Sequence, residues 1–210
     1  MNNIKPKDVV IHKYVTLCNK VSDINQHLPT LKEHASHCTS ILECGVRDAV
    51  STWAFLAGLL ENNSATKKLT NCDIYRSPNI KTVGDFAGKC EVDYEFVTGN
   101  DLEVDLPDAD LIFIDTWHVY AQLKRELALF APKAKKYIIL HDTTVDAERG
   151  ETLRMGYNAQ KQARETGFPI EEIKKGLWPA VTEFLDSNTE WKLKKRYTNN
   201  NGLTILEKKP

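Results

Sequence analysis

Apolar and polar positions in this chain follow two different periods. Leu28, Leu31 and Ala35 recur at helical spacing, and residues 6–19 and 23–36 read as two helices. Short apolar runs then begin. The first, 41–44, stops at Gly45 and leads into the helical stretch "STWAFLAGLL". A second run, 69–74, ends near Asp73, and a helical segment around 78–89 leads to a third at 94–97. The fourth, 111–114, is the clearest, and after it Leu123, Leu127 and Phe130 share one helix face. The fifth is 137–140.

Strands that alternate with helices predict right-handed crossovers and a parallel sheet. These runs lack polar alternation, as expected where helices cover both faces of the sheet. The last part of the chain breaks the pattern. "WKLKKRY" and "LTILEKK" are two strand-like runs joined by "TNNNG". Asn and Gly tolerate positive φ, so this is the signature of an antiparallel hairpin. The fold class is therefore α/β: a mostly parallel sheet with helices on both faces and a C-terminal antiparallel hairpin. With no repeat and no low-complexity linker, one domain is expected over 1–210, a helical segment at 1–38 preceding a core at 39–210.

Composition narrows the function classes. The chain has 210 residues, 41% hydrophobic and 27% charged, with a net charge of −1. That supports a packed core and gives no basic footprint, so no nucleic-acid partner is expected. The C-terminal lysine clusters (Lys174, Lys175; Lys192, Lys194, Lys195, Arg196) read as solvated faces. The five cysteines form no CxxC pair and no zinc spacing, and their number is odd. Free thiols in a reducing compartment follow, which places the protein in the cytoplasm, the host's if the protein is viral. The opening "MNNIKPKDVVIHKY" has no apolar h-region, and no run reaches about 18 apolar residues, so neither a signal peptide nor a membrane span is expected.

Titratable residues at strand ends carry the chemistry. In an open α/β sheet, ligands bind beyond the carboxyl ends of the strands. Asp115 ends the fourth run, with His118 three residues on; His141 and Asp142 end the fifth. Aspartate is also a favoured helix N-cap, but three such groups at two strand ends favour a site. After the first run stands "ECGVRDAVST". Gly45 permits a tight turn, but the dinucleotide fingerprint is missing. Glu43, just before it, disfavours a bound phosphate and suits a cationic ligand; its alternative is a structural carboxylate holding a nearby loop. Asp73 is placed to accept both hydroxyls of a ribose, or to start a turn.

Four stretches, "ILECGVRDAVSTWAFLAGL", "IFIDTWHVYAQLKRELALFAPKAKKYIILHDT", "GLWPAVTEFL" and "TNNNGLTILEKK", together resemble class I S-adenosylmethionine (SAM)-dependent methyltransferases. The resemblance runs from about residue 20 onward. The branch is that of sugar and macrolide-sugar O-methyltransferases and cephalosporin-hydroxylase-like proteins, including chlorovirus rhamnose O-methyltransferase domains. It implies a Rossmann-like sheet of seven strands with the last antiparallel. It also implies SAM as cofactor, with Glu43, Gly45, Ser51 and Thr52 in the cofactor loop, Asp73 on the ribose, and Asn100 and Asp101 near the adenine. Metal-dependent relatives bind a divalent ion such as Mg²⁺ or Mn²⁺ through the positions of Asp115, His141 and Asp142. His141 stands where their first acidic residue usually does, a set that leans toward Mn²⁺ or Fe²⁺. Ala49 replaces a glycine common in the first motif.

The expected reaction is in-line methyl transfer to a hydroxyl of a small molecule or glycan, such as rhamnose. His118 would act as base and Asp115 would assist. Trp117, Tyr120 and Trp178 are candidates for contact with the acceptor or for plain core packing. Arg149 in "TTVDAERGE" would hold an anionic substrate or remain a solvated arginine, and this charged segment could close as a lid. The chain is expected as a homo-oligomer or as part of a larger multidomain protein. Its alternatives are a metal-dependent hydroxylase-like enzyme, since histidine with carboxylates resembles an iron facial triad, and a non-catalytic module on the same fold. A nicotinamide enzyme would need GxGxxG, which is missing.

Overall fold

The protein is described here from a computed structural model that covers residues 4–210; the first three residues of the expected 1–210 domain, and of the opening segment, lie outside the described residues. The chain divides into two compact units, Met1–Phe113 and Ile114–Pro210.

In the first unit, α1 (Pro6–Asn19) and α2 (Leu28–Ser36) precede β1 (Ser40–Cys44), α3 (Val50–Leu59), β2 (Lys68–Asp73), α4 (Asn79–Lys89), β3 (Asp93–Thr98) and β4 (Ala109–Ile114). The second predicted helix starts late. Residues Asn25–His27 form a 3-10 turn, and Pro29 sits in the first turn of α2, where its missing N–H costs nothing. Helix α3 is buried over Ser51–Leu59, so it has no polar face to offer water. It lies close against α2: a Cβ on Gly58 would be 2.3 Å from the Lys32 carbonyl oxygen, so only glycine fits there. Strands β1, β2 and β3 are parallel, with Cys44 beside Cys72 and Asp73 beside Thr98. Successive strand side chains point to opposite faces. Buried runs at Ile41–Cys44 and Leu69–Cys72 therefore mean that both faces are covered.

The second unit contains α5 (Tyr120–Phe130), β5 (Ala134–His141), α6 (Glu151–Arg154), α7 (Ala159–Thr166), α8 (Ile170–Lys174), α9 (Leu177–Ser187), β6 (Trp191–Tyr197) and β7 (Leu203–Lys208). Helix α5 buries Leu123, Leu127 and Phe130, the face its spacing predicts. Each buried Leu or Phe contributes about 1.5–3 kcal/mol. β7 is antiparallel to both β5 and β6, with His141 and Tyr197 each opposite Leu203. The β6–β7 turn takes three successive left-handed residues, Asn200 (φ 46), Asn201 (φ 68) and Gly202 (φ 98). At Gly202 a Cβ would stand 2.4 Å from Thr144 Oγ1, so the turn closes only with glycine.

Seven strands form one sheet, in the order β3-β2-β1-β4-β5-β7-β6. This is the predicted α/β architecture, with the antiparallel hairpin at its end. Among the described residues, no helix is long and apolar enough to cross a membrane.

Candidate functional site

The loop after β1 is built around two carboxylates. Glu43 is fully buried. Its carboxylate accepts hydrogen bonds from Ser51 Oγ, from Thr52 Oγ1 at 2.7 Å and from Asn71 Nδ2. A buried charge persists when its lone pairs are satisfied in this way. Glu43, Ser51 and Thr52 therefore lie beneath the loop and bond to one another, which fixes the start of α3. Asp73 is half-buried and holds the loop itself. Its Oδ2 accepts from the N–H of Val46 (2.7 Å) and Arg47 (3.0 Å), and its Oδ1 accepts from Tyr75 N–H (3.0 Å).

Gly45 takes φ 82 and its N–H donates to the Cys72 carbonyl at 2.9 Å. Arg47 (φ 45) and Ala49 (φ 61) also adopt left-handed backbone, which non-glycine residues occupy only at a cost of about 1–2 kcal/mol. Ala49 thus takes the conformation natural to the glycine it replaces. Asn100 opens the segment after β3: its Oδ1 accepts from Leu102 N–H (3.1 Å) and its Nδ2 donates to Glu103 (3.0 Å). Asp101 is buried. The Cys72 thiol is pushed up to about 12, first by burial and then by the charges of Asp101 and Asp73, so it stays protonated.

In the second unit, Asp115, His118, His141 and Asp142 converge. His118 Nε2 lies 3.1 Å from Asp115 Oδ1 and 3.2 Å from Asp142 Oδ2. His141 Nδ1 lies 3.2 Å and 3.1 Å from the same two oxygens. Each ring nitrogen thus approaches the same pair of carboxylate oxygens. Asp142 takes φ 56 to aim its carboxylate at the two rings, a strained setting typical of functional positions. Donor atoms of Asp115, His118 and Asp142 all lie within 4.8 Å of one another. Ligands about 2.0 Å from a tetrahedral ion sit about 3.3 Å apart, close to the 3.1 and 3.2 Å between His118 Nε2 and the oxygens of Asp115 and Asp142, so these three residues could hold a divalent ion.

The charges fit as well. Burial works against ionising Asp115, but the His141 charge and the bonds from both rings hold its carboxyl well below the usual range. Burial disfavours charge on His118, yet the Asp115 hydrogen bond and the charges of Asp142, Asp115 and Glu151 outweigh it and raise the ring to about 8. His141 is raised to about 11 against its own burial by Asp115 and Asp142. With no cation present, imidazole protons balance the two carboxylates.

The rings differ in exposure and in what stands behind them. The His141 side chain is 1% exposed and that of His118 16%. His141 Nε2 faces the Asn200 carbonyl at 3.3 Å, so a neutral His141 would donate there and leave Nδ1 bare for a ligand. His118 Nδ1 faces Asp146 Oδ2 (3.6 Å) and Glu151 Oε2 (3.5 Å). Asp146, Glu151 and Asn200 were missed as site residues. The first two sit in the charged "TTVDAERGE" stretch, whose acidic content was the available signal. Asn200 acts through its backbone, which leaves no signature in residue type.

That stretch is stitched down rather than free to close as a lid. Thr144 and Val145 N–H groups donate to Asn201, and the N–H groups of Gly176, Leu177 and Trp178 donate to Glu148, Asp146 and Ala147. Arg149 is exposed and bridges Lys175. Of the aromatic candidates, Trp117 stacks on Phe168 at 6.4 Å and 14°. Trp178 carries the Arg196 guanidinium 3.5 Å from its ring centroid. Tyr120 is buried, donates its hydroxyl to Glu183 at 2.5 Å and lies beneath Lys124 and Lys175. Those contacts draw Tyr120 into packing with α9.

No protein-family model matches this sequence, and no curated protein matches it. Solved structures do. An O-methyltransferase from Bacillus cereus in complex with SAH superposes with a TM-score of 0.57 at 13% identity, over 100% of this chain and 93% of that one. TomG from Streptomyces achromogenes, an O-methyltransferase of tomaymycin synthesis in complex with SAM, gives 0.58 at 9% identity, over 100% and 92%. The SAH-bound methyltransferase PaMTH1 from Podospora anserina gives 0.55 at 14%, over 97% and 88%. The chain has the O-methyltransferase fold. At these identities the likeness is one of architecture, and the methyltransferase fold accounts for both the strand order and the antiparallel β7.

Proposed function

We propose that this protein is a SAM-dependent O-methyltransferase that acts on a hydroxyl of a sugar or a related small molecule with the help of a divalent cation. The observation that carries the reading is the approach of His118 Nε2 and His141 Nδ1 to the same two oxygens of Asp115 and Asp142, in a chain of the O-methyltransferase fold.

On this reading the Asp73-anchored loop, with Gly45, Asn100 and Asp101, receives the nucleoside. Glu43, Ser51 and Thr52 support that loop from below. Asp115, Asp142 and the deeply buried His141 would hold the cation. SAM supplies an electrophilic methyl, and a bound divalent cation supplies Lewis acidity that makes a hydroxyl easier to deprotonate. His118, the more exposed ring, takes the hydroxyl proton on Nε2, a step that contributes typically about 10²–10⁴ in rate. Alignment of acceptor and methyl supplies up to about 7–11 kcal/mol of the barrier. Imidazole in the donor set favours Mn²⁺, Fe²⁺ or Zn²⁺ over Mg²⁺, which prefers oxygen ligands. Trp117 and Trp178 offer aromatic surface for the apolar face of a sugar, and Arg149 offers a cation for an anionic one.

Incubation with SAM and a panel of glycans tests the reading. One methyl group gained by a glycan, read by mass spectrometry and lost after dialysis against EDTA, supports it. No gain with any hydroxyl acceptor, after cation replacement, counts against it.

A second reading has one observation in its favour. Two imidazoles with carboxylates also make the donor set of non-haem iron oxygenases. That enzyme would bind a 2-oxo acid and would not need the loop after β1.

A further inference from the structure

Arg196 belongs by sequence to a lysine cluster that reads as a solvated face, yet its side chain is half-buried. It stands near the carboxyl end of β6. Strands β5 and β6 are both antiparallel to β7, so they run parallel to each other, and Arg196 is level with Leu140 across Thr204. Arg196 therefore lies at the rim where β5 presents His141 and Asp142, and that rim is where ligands of an open α/β sheet bind. Its side chain spans the gap: Nη2 donates at 2.9 Å to the carbonyl of Thr143, the residue after Asp142. The guanidinium lies 3.5 Å from the ring centroid of Trp178, in the first turn of α9, and stacking there fixes the plane of its fork. What this guanidinium lacks is an anion. Arg47, Arg125 and Arg154 each pair with a carboxylate, that of Asp23, Glu172 and Asp146. Arg196 has no such partner among the described residues, and its Nε is sealed from solvent with no hydrogen bond. A charge drawn out of water with unfilled donors is costly, so such a group is retained where a ligand completes it.

We propose that Arg196, held flat on Trp178, binds an oxyanion carried by the acceptor (a carboxylate, phosphate or sulfate), so that the acceptor is an acidic sugar or a similarly charged small molecule. Arg154 shows the same edge of the fork filled: its Nε and Nη2 grip the two oxygens of Asp146 at 2.6 and 2.8 Å. On Arg196 that edge awaits a ligand of the same shape, since a planar fork matches an oxyanion through two parallel bonds. Reaching Nε requires the fork to turn on the Trp178 ring, a movement that breaks only the bond to Thr143. The role in acceptor binding rests on the proposed methyl transfer; the anion site itself does not.

The test is the ¹H–¹⁵N correlation spectrum of the arginine Nε–H groups in the full-length protein, titrated with sodium glucuronate, with inorganic phosphate and with neutral glucose at fixed ionic strength. The Arg196 peak is identified by its loss in Arg196→Lys, or by backbone assignment should that variant not fold. The expected result is a saturable shift of this peak with an oxyanion and none with glucose. A shift with glucuronate marks an acidic sugar; a shift with phosphate alone marks a phosphorylated acceptor. Arg196→Lys keeps the charge but not the fork, so anion affinity by calorimetry should fall at least about tenfold while SAM affinity holds. A residue that only packs would lower the Tm when replaced and leave anion binding unmoved. The proposal is overturned by a wild-type peak that ignores both anions, by one that glucose moves equally, by one that SAM alone moves, or by unchanged anion affinity in folded Arg196→Lys. A protein whose Arg196 answers an oxyanion yet binds no SAM keeps the anion site and loses the methyltransferase reading instead.

Discussion

His118 and His141 present one nitrogen each to the same two oxygens, Asp115 Oδ1 and Asp142 Oδ2, at 3.1–3.2 Å. The two histidines lie far apart in sequence and reach the same oxygens through different nitrogens, Nε2 of His118 and Nδ1 of His141. One is half-open and backed by carboxylates; the other is sealed and backed by a carbonyl. On the proposed reading, that asymmetry would give His118 the proton transfer and His141 the cation.

The assignment predicts different failures. His118→Ala lowers kcat by at least about 10² and leaves SAM affinity near the wild-type value. His141→Ala weakens Mn²⁺ or Zn²⁺ binding, read by calorimetry, by a larger factor than His118→Ala does. Equal turnover in His118→Ala and wild type would remove that ring from the chemistry.

The pH dependence of stability reverses with metal. Both rings are raised in the folded state from 6.5, His118 to about 8 and His141 to about 11. Their stabilisation is complete below 6.5 and is lost as pH rises, first through 8 and then toward 11. The Tm of EDTA-treated protein therefore falls above pH 6.5. A cation held by His141 would displace the proton of that ring, so its affinity would rise with pH and its binding near pH 7 would release about one proton, or more if its charge also drives the proton from His118. Calorimetry in buffers of different ionisation enthalpy counts them.

Glu43 acts as the support of the loop. Glu43→Gln leaves the three donors Ser51, Thr52 and Asn71 on an uncharged acceptor that adds a donor of its own. A buried bond to a charged group contributes about 1.5–3 kcal/mol, which corresponds to a Tm loss of roughly 3–12 °C in a chain of this size. A Tm within a degree of wild type in a thermal melt would contradict this.

Asp73→Asn removes the charge that anchors the N–H groups of Val46 and Arg47. SAM affinity, measured by titration calorimetry, is expected to fall at least about tenfold, the loss of one charge-assisted bond. An unchanged dissociation constant would show that the loop keeps its shape without this carboxylate.

Much of the fold was legible because its signals are local. Five apolar runs and the "TNNNG" turn identify seven strands, and all seven are present. Helices α6 to α9 were not assigned from spacing. α6 and α8 are four and five residues long, too short to show a period, and α7 buries only Ala159. The cluster was half legible. Asp115, His141 and Asp142 stand at strand ends, where topology alone makes them neighbours. That His118 would face the same oxygens depends on the turn between Asp115 and α5. The Asn200 carbonyl depends on three left-handed residues in a distant hairpin. Tyr120 was a candidate for its aromatic face, with core packing as the alternative; in the structure it is buried and its hydroxyl donates to Glu183.

The central claim is that the loop anchored by Asp73 receives a sulfonium nucleoside. The most direct test is the thermal melt of the wild-type protein with SAM, SAH, NAD and 2-oxoglutarate in turn. SAM and SAH should each raise the Tm, by about 2.7 kcal/mol of added stability at a hundred times the dissociation constant, while NAD and 2-oxoglutarate leave it unmoved. A Tm that ignores SAM and SAH, or that rises with 2-oxoglutarate alone, would contradict the account.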